Sequence, residues 1–342
     1  MSVYLTGQAV LDIQAGAPNN GRGTADQGNV TPVKQHRTGG KTYPYGSAQW
    51  WRRMLRDSFP DTETASPVIV NGKDSKQQSY TSGRPDRHTD DDLFGYMAAT
   101  KTAQHMRNSV LSTGTFVSIA PERPTRDFGT MSRDLPTGSN PILHEHEFYT
   151  AALQGDLRLD MLRVGFFEQE GKVRKAALSD EAVKEALQAG CVEATRRGIS
   201  GVLLPIEERR RRVGVLLRTM AAMHGGANQA AHYGDRAPAL ILLAPIRGGN
   251  QPFTRILAPV DGEIRFFADT LREEIEAWSD LIDGKVHLGW APGFLGDQRE
   301  SARADLADLI TADRLVIGHP RVVLADLAQS MESGEHDTWL QD

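Results

Sequence analysis

Cysteine is the scarcest resource in this sequence: Cys191 is the only one in 342 residues. One thiol closes no internal disulfide and builds no thiolate zinc cage, so the fold must be held by its core. Long apolar runs are missing too. None approaches the ~20 residues of a membrane span, and Met1-Ser2-Val3-Tyr4-Leu5 is no basic-then-apolar leader. A soluble, cytoplasmic protein without a membrane partner is expected. Positive charge is in deficit, with 39 Lys+Arg against 44 Asp+Glu and a formal net charge of −5. Taken alone, that deficit argues against a nucleic-acid partner, whose phosphates need neutralising. Nucleotide-binding loops are also lacking. Gly40-Lys41-Thr42 resembles the end of a phosphate loop, but Gln35 stands where its first glycine belongs and Pro44 where its helix should start. Gly21-Arg22-Gly23 is followed by Asp26 in place of the third glycine of a dinucleotide fingerprint.

The charge that is present is unevenly placed. Residues 261–342 hold 18 acidic against 7 basic residues, a balance of −11, which leaves 32 basic against 26 acidic over 1–260, a balance of +6. The basic bias is sharpest up to Phe59, where Arg22, Lys34, Arg37, Lys41, Arg52, Arg53 and Arg56 meet only Asp12, Asp26 and Asp57. A basic body with an acidic C-terminal part implies a partner for the basic face. The length corresponds to about two domains, or one with large insertions, and is ample for a core that needs no staple.

Val3, Leu5, Val10, Leu11 and Ile13 predict an opening strand. Residues 15–46, rich in glycine and broken by Pro18, Pro32 and Pro44, read as a long irregular segment, the kind that is functional or disordered. Ser47 caps a helix to about Ser58, with Trp50, Trp51, Met54 and Leu55 on one arc and Gln49, Arg52, Arg53 and Arg56 opposite. Residues 60–140 read as a polar insertion in which helical spacing returns over 91–111. Then come a strand at 157–167, a helix at 179–197, a strand at 201–204, a strong helix at 205–223 and a buried strand at 239–246. Further helices are predicted near 266–282, 299–311 and 321–331. Strand, helix, strand, strand, helix, strand, interrupted by two insertions, fits an α+β fold with a ferredoxin-like sheet of the RNA-recognition type. The aromatic consensus with which such sheets usually stack bases is absent.

Several clusters admit two readings. Asp90-Asp91-Asp92 beside His88 supplies oxygen ligands for a divalent metal, or carboxylates that complement a helix start. His144 and His146 of His144-Glu145-His146-Glu147 share a strand face, but a third zinc ligand at recognisable spacing is missing. Cys191 lies in a helical pattern and reads as core. His224-Gly225-Gly226-Ala227-Asn228-Gln229 ends a strong helix. It serves as a glycine cap, or as a place where a polar backbone approaches closely.

Three blocks together resemble the DevR-type backbone subunit of type I-B CRISPR Cascade complexes. They are Ala17-Pro18-Asn19-Asn20, residues 27–34 (Gln-Gly-Asn-Val-Thr-Pro-Val-Lys) and residues 40–52, Gly-Lys-Thr-Tyr-Pro-Tyr-Gly-Ser-Ala-Gln-Trp-Trp-Arg. Residues 91–97, 147–150 and the arginine-led helix ending in Gly225-Gly226-Ala227 fit the same pattern. The resemblance spans about residues 5–246, and the acidic C-terminal part carries no matching motif. It implies a hand-shaped protein: a modified RNA-recognition palm (1–59, 151–167 and 201–260), a finger insertion (60–150) and a β-hairpin thumb (168–200), with 261–342 as an acidic helical addition. It also implies copies of the chain polymerised along a guide RNA with other Cascade subunits. Bases are left free to pair with target DNA, and neither catalysis nor a cofactor is expected.

A binder that accepts any guide should use cations and amides on phosphates, which carry no sequence information. Lys34, His36, Arg37, Lys41, Arg52, Arg53 and Arg56 are the cationic candidates, and Asn19, Asn20, Asn29, Ser47 and Gln49 the neutral ones. Tyr43 and Tyr45 are candidates for stacking, and His224, Gly225, Gly226, Asn228 and Gln229 for the same RNA. Arg84 and Arg87 are candidates for target DNA or a neighbouring subunit. Two rival readings stand beside this one. One is an RNA-cleaving type III-like subunit using the thumb's Asp180; the other is a metal-dependent phosphoesterase using Asp90–Asp92 with His144 and His146.

Overall fold

Alternation in the opening segment builds β1 (Val3–Gly16), whose Leu5, Ala9, Leu11 and Ile13 enter one core while Val10 enters another. The structure is a computed structural model and describes residues 1–21, 30–72, 78–99, 104–131, 134, 136, 138–169 and 175–341; Asn29 lies outside them. The segment expected to be irregular instead forms β2 (Val30–Thr31), β3 (Gln35–Thr38) and β4 (Lys41–Gly46). Gly39 and Gly40, at φ +55° and +74°, make a two-residue hairpin turn that sets His36 opposite Tyr43. Polar residues dominate β3, so no hydrophobic alternation announces it. α1 (Ala48–Asp57) starts where predicted, with the Trp50 amide donating to the Ser47 hydroxyl.

The insertion supplies β5 (Val68–Asn71), β6 (Gln78–Thr81), α2 (Thr89–Phe94), β7 (Tyr96–Ala99) and β8 (Gln104–Arg107). The helix expected to reach residue 111 stops at Phe94, because Gly95 at φ +71° passes too close to the Arg107 carbonyl for any side chain. Met97 and Met106, whose spacing suggested a helix, face each other across the β7–β8 hairpin. β9 (Leu111–Thr113), β10 (Phe116–Ser118), β11 (Thr125–Met131) and β12 (Ile142–Asp160) follow. The helix expected over 179–197 ends early. Between β13 (Phe166–Glu168) and β15 (Ile199–Leu203) lie α3 (Asp180–Gln188) and β14 (Val192–Arg196), and β14 and β15 form a hairpin in a separate three-stranded sheet.

α4 (Ile206–Ala221) and β16 (Leu240–Arg247) match their predicted places. The remainder is β17 (Leu257–Val260), β18 (Glu263–Phe266), α5 (Ala268–Ala277), β19 (Val286–Trp290), α6 (Gln298–Asp305), α7 (Ala307–Thr311), β20 (Leu315–Gly318) and α8 (Pro320–Ser333). Among the described residues eleven strands share one sheet, along a main path β20-β19-β16-β1-β12-β10-β4-β3. Within it β16, β1, β12 and β10 are antiparallel neighbours. Their order is fourth, first, third, second of a β-α-β-β-α-β unit whose helices are α1 and α4, so the fold is an α+β ferredoxin-like palm. Its middle strands are not the expected ones: β10 and the start of β12 lie in the segment read as the finger insertion, and the strand expected at 201–204 is part of β15 in the separate sheet. The C-terminal part, expected to be helical, also lengthens the palm sheet with β19 and β20, strands too short to show a period.

Both sheet faces are covered. Ile241 and Leu243 of β16 join α1, α4 and α8, packing with Trp51, Met54, Leu216 and Leu327. Leu240, Leu242, Ala244 and Ile246 face the C-terminal part, packing with Leu271, Ile275 and Leu309. A continuous apolar run buried on both sides is what this predicts. Acidic residues of the C-terminal part pair within the chain: Arg210 with Asp337 and Arg218 with Glu332. No helix among the described residues is long and apolar enough to cross a membrane.

Candidate nucleic-acid interface

Four stretches that sequence reasoning singled out separately meet at one edge of the palm. Residues 17–20 continue from β1. Lys34 donates its amide to the Asn19 carbonyl, the Asn19 side chain donates to the Tyr45 carbonyl at 3.3 Å, and Ala227 donates to the Pro18 carbonyl at 3.1 Å. Gly226, at φ +92°, lies where a Cβ would sit 3.1 Å from Met54 Sδ, 3.4 Å from the Pro18 oxygen and 3.6 Å from Trp50 Nε1. Of the two jobs weighed for the glycine pair, the close approach of backbone is the one seen; α4 has already ended at Ala221 with Ala222 as its cap.

The candidates divide by what already holds them. His36, Arg37, Lys41 and Gln49 are exposed. Strand alternation and the hairpin register put His36, Lys41, Tyr43 and Tyr45 on one face, with Arg37 on the other. Lys34 is half-buried beside this face, and Arg53 is exposed but pairs with Asp57 at 2.7 Å. Other candidates are committed to the fold. Ser47 caps α1, Asn19 is buried in its bond to Tyr45, and Gln229 ties Gly225 to Gly234. Asn228, at φ +55°, sits in the turn that accepts the His232 amide, and the exposed His224 donates its amide to Ser58 Oγ. Arg52 donates to Thr113 Oγ1 at 2.9 Å, and burial, then the neighbouring charge of Arg56, lowers its pKa. Arg56 pairs with Asp90 at 3.2 Å and lies over the Phe94 ring. The predicted arginine stripe is thus half anchored.

Asp90, Asp91 and Asp92 are neither simple helix caps nor arranged around an ion; they form the ionic root of the insertion. All three are buried. Asp92 pairs with fully buried Arg107 and with Arg212 at 2.8 Å, and accepts the Gly165 amide. Asp91 accepts the Ser66 hydroxyl and the Arg84 amide, and Asp90 accepts the Ser66 amide. Arg107 spends its other N–H groups on the Asp92, Phe166 and Arg163 carbonyls. Arg84 and Arg87 both pair with Glu185 of α3. The rings of His144 and His146 stack 6.2 Å apart, and His232 packs between His146 and Phe148. Among the described residues no group of three His, Cys, Asp or Glu is placed to hold a metal ion.

At the palm edge lie polar atoms that are buried without a hydrogen-bond partner among the described residues: Asn20 Oδ1, Trp50 Nε1, Tyr149 OH, and Nε and Nη2 of Arg236. Sequence reasoning missed Tyr149 and Arg236, since one reads as core and the other as an ordinary loop cation. A buried guanidinium lacking a carboxylate bond forfeits several kcal/mol of hydration. On the opposite face of the sheet a cavity of about 660 Å³ is lined by Asp12, Glu122, Glu263 and Asp297. Those carboxylates make this cavity a poor seat for a polyanion.

No family model matches the chain, and no curated protein does. Solved structures do match. One is a chain of a CRISPR RNA-guided surveillance complex, 15% identical with a TM-score of 0.53, covering 96% of this chain and 99% of that one. Another is a chain of a CRISPR RNA-guided surveillance complex described as pre-nicking, 12% identical with a TM-score of 0.55, covering 96% and 100%. The shared property is the fold. It extends over the acidic C-terminal part, where no sequence motif matched, so that part belongs to the common architecture.

Proposed function

We propose that this chain is a guide-RNA-binding backbone subunit of a CRISPR surveillance complex of the Cascade type. The observation that carries the proposal is the meeting of the 17–20, 34–46 and 225–229 segments at one edge, with exposed Arg37 and Lys41 and unpartnered donors, on a fold shared with surveillance-complex chains. Such an edge suits phosphates of any sequence, because its groups are cations and amides rather than base-reading pairs. The finer reading is a DevR-like, type I-B subunit in the cytoplasm. It is non-catalytic and repeats along the guide, with bases left free to pair with target DNA.

The test is the nucleic acid that co-purifies when the protein is expressed beside a CRISPR array. Protected guide RNA in a large assembly is expected. Replacing Lys34, Arg37 and Lys41 together by Glu should remove it while the far-ultraviolet circular dichroism stays native. Guide RNA retained by that variant at moderate salt would overturn the assignment of the hairpin edge. Asp180 sits exposed in the first turn of α3 behind the Ser179 cap, a position its charge favours for the helix dipole alone. Magnesium-dependent cutting of complementary RNA that is lost in Asp180→Ala would replace the non-catalytic reading with the cleaving one.

A further inference from the structure

Arg236 is 1% exposed, yet it is used quite unlike the other buried arginines of this protein. Arg107 and Arg212 each meet a carboxylate and donate further to carbonyls, and Arg209, equally buried, donates to the Val164 and Leu162 carbonyls of a distant segment. Arg236 donates only from Nη1, to the carbonyl of its own neighbour Asp235, and leaves Nε and Nη2 without a partner. The nearby Asp235 carboxylate is turned to the Ala237 amide. Nη2 lies 3.4 Å from where a Cβ on Gly16 would be, and Gly16 pairs in register with Tyr149, whose hydroxyl is also buried and unpartnered. Three donor groups therefore converge at the bulged end of β1, immediately before the 17–20 segment. Burial lowers the Arg236 pKa and raises that of Tyr149, which keeps the phenol a neutral donor and leaves the guanidinium charge poorly solvated.

We propose that Arg236 and the Tyr149 hydroxyl form a socket for one phosphodiester of bound single-stranded RNA, entered as the Tyr233–Asp235 turn lifts. The planar fork of a guanidinium offers parallel N–H groups to two phosphate oxygens, and the phenol offers a third bond. The cover over the socket is thin, since Tyr233 and Asp235 are exposed and the side chain of Gln229 is what holds Gly234 down. The socket reads no base, so it would act once per copy of the chain on any guide. This inference rests on the RNA-binding reading above and adds to it a phosphate site away from the hairpin cations.

The test titrates the full-length protein, freed of nucleic acid, with a labelled single-stranded RNA of mixed sequence across a range of salt. Arg236→Met should weaken binding about tenfold. It should also lower the slope of log affinity against log salt by about 0.7, the share of one phosphate on a single strand. Melting of the RNA-free variant should be unchanged or raised, because an unpaired buried charge has been removed. Tyr149→Phe should weaken binding about threefold with an unaltered salt slope. A lowered melting temperature with wild-type RNA affinity would make Arg236 a structural residue and overturn the socket. Wild-type affinity and slope in Arg236→Met would overturn it too, while leaving the RNA-binding reading intact. No RNA binding by the wild-type protein would sink both.

Discussion

Two groups of arginine and lysine in this protein differ in what they are bound to rather than in what they are. At the root of the insertion Arg107 and Arg212 are buried against Asp92, with carbonyls, and for Arg212 also the Glu208 carboxylate, on their remaining N–H groups. At the palm edge Arg37 and Lys41 are exposed, and Arg236 is buried but barely bonded. The first group holds insertion to palm. The second is free to hold something else. A sequence count treats both alike, which is why the net charge of −5 misleads: the available cations are a local subset.

The comparison breaks most visibly at Asp92. Asp92→Ala leaves the fully buried Arg107 without its carboxylate and Arg212 with Glu208 alone, and should cost about 3–5 kcal/mol, measured by urea unfolding. RNA affinity of the fraction still folded should be unchanged. Neutralising Lys34, Arg37 and Lys41 to Gln should do the reverse. Unfolding free energy should shift by less than about 1 kcal/mol, while the salt dependence of RNA binding falls by roughly 2 in slope, about 0.7 for each phosphate no longer neutralised.

A subtler effect separates the two groups at Asp90, which joins stripe and root through Arg56. Burial, then the charge of Asp91, pushes the Asp90 carboxyl above its ordinary value of 3.8, against the pull of Arg56. The folded state therefore holds this proton more tightly than the unfolded one. Its contribution to stability is full below pH 3.8 and is lost as pH rises through the raised value. Asp90→Asn removes that loss, so the wild type should lose ground to the variant as pH rises. A constant difference across the pH range, by chemical denaturation, would show that Asp90 does not titrate this way.

What was legible in the sequence was local. Ser47, the tryptophans and the alternating arc fixed α1 because cap and core face lie within three turns. The ends of the palm unit were legible because β1, α4 and β16 are long or strongly apolar, but its middle strands were not: β10 is three residues long, and the strand expected at 201–204 belongs to β15 of the separate sheet. The β3–β4 hairpin was not, since its turn glycines sit between polar strands, and β19 and β20 are too short for any period. The pairing of Arg56 with Asp90, and the convergence of Arg236 on Tyr149, are set by tertiary placement alone. At the candidate site, sequence found which segments meet but not which side chains are spent.

The smallest expected effect tests whether Arg84 and Arg87 belong with the bound or the free cations. Both meet Glu185 of α3, which is about half exposed, so each pair gains little against water and is screened by salt. Arg84 is also held by Asp86 at 2.7 Å, whereas Arg87 has only a long 3.8 Å approach to it. Glu185→Gln should therefore change unfolding free energy by less than about 1 kcal/mol. It should leave Arg84 in place and release Arg87. If Arg87 serves target DNA or a neighbouring subunit, that release should tighten duplex binding or assembly at low salt and vanish at high salt. If Glu185→Gln instead loosens assembly, the two arginines belong with the root of the insertion, and α3 is what they position.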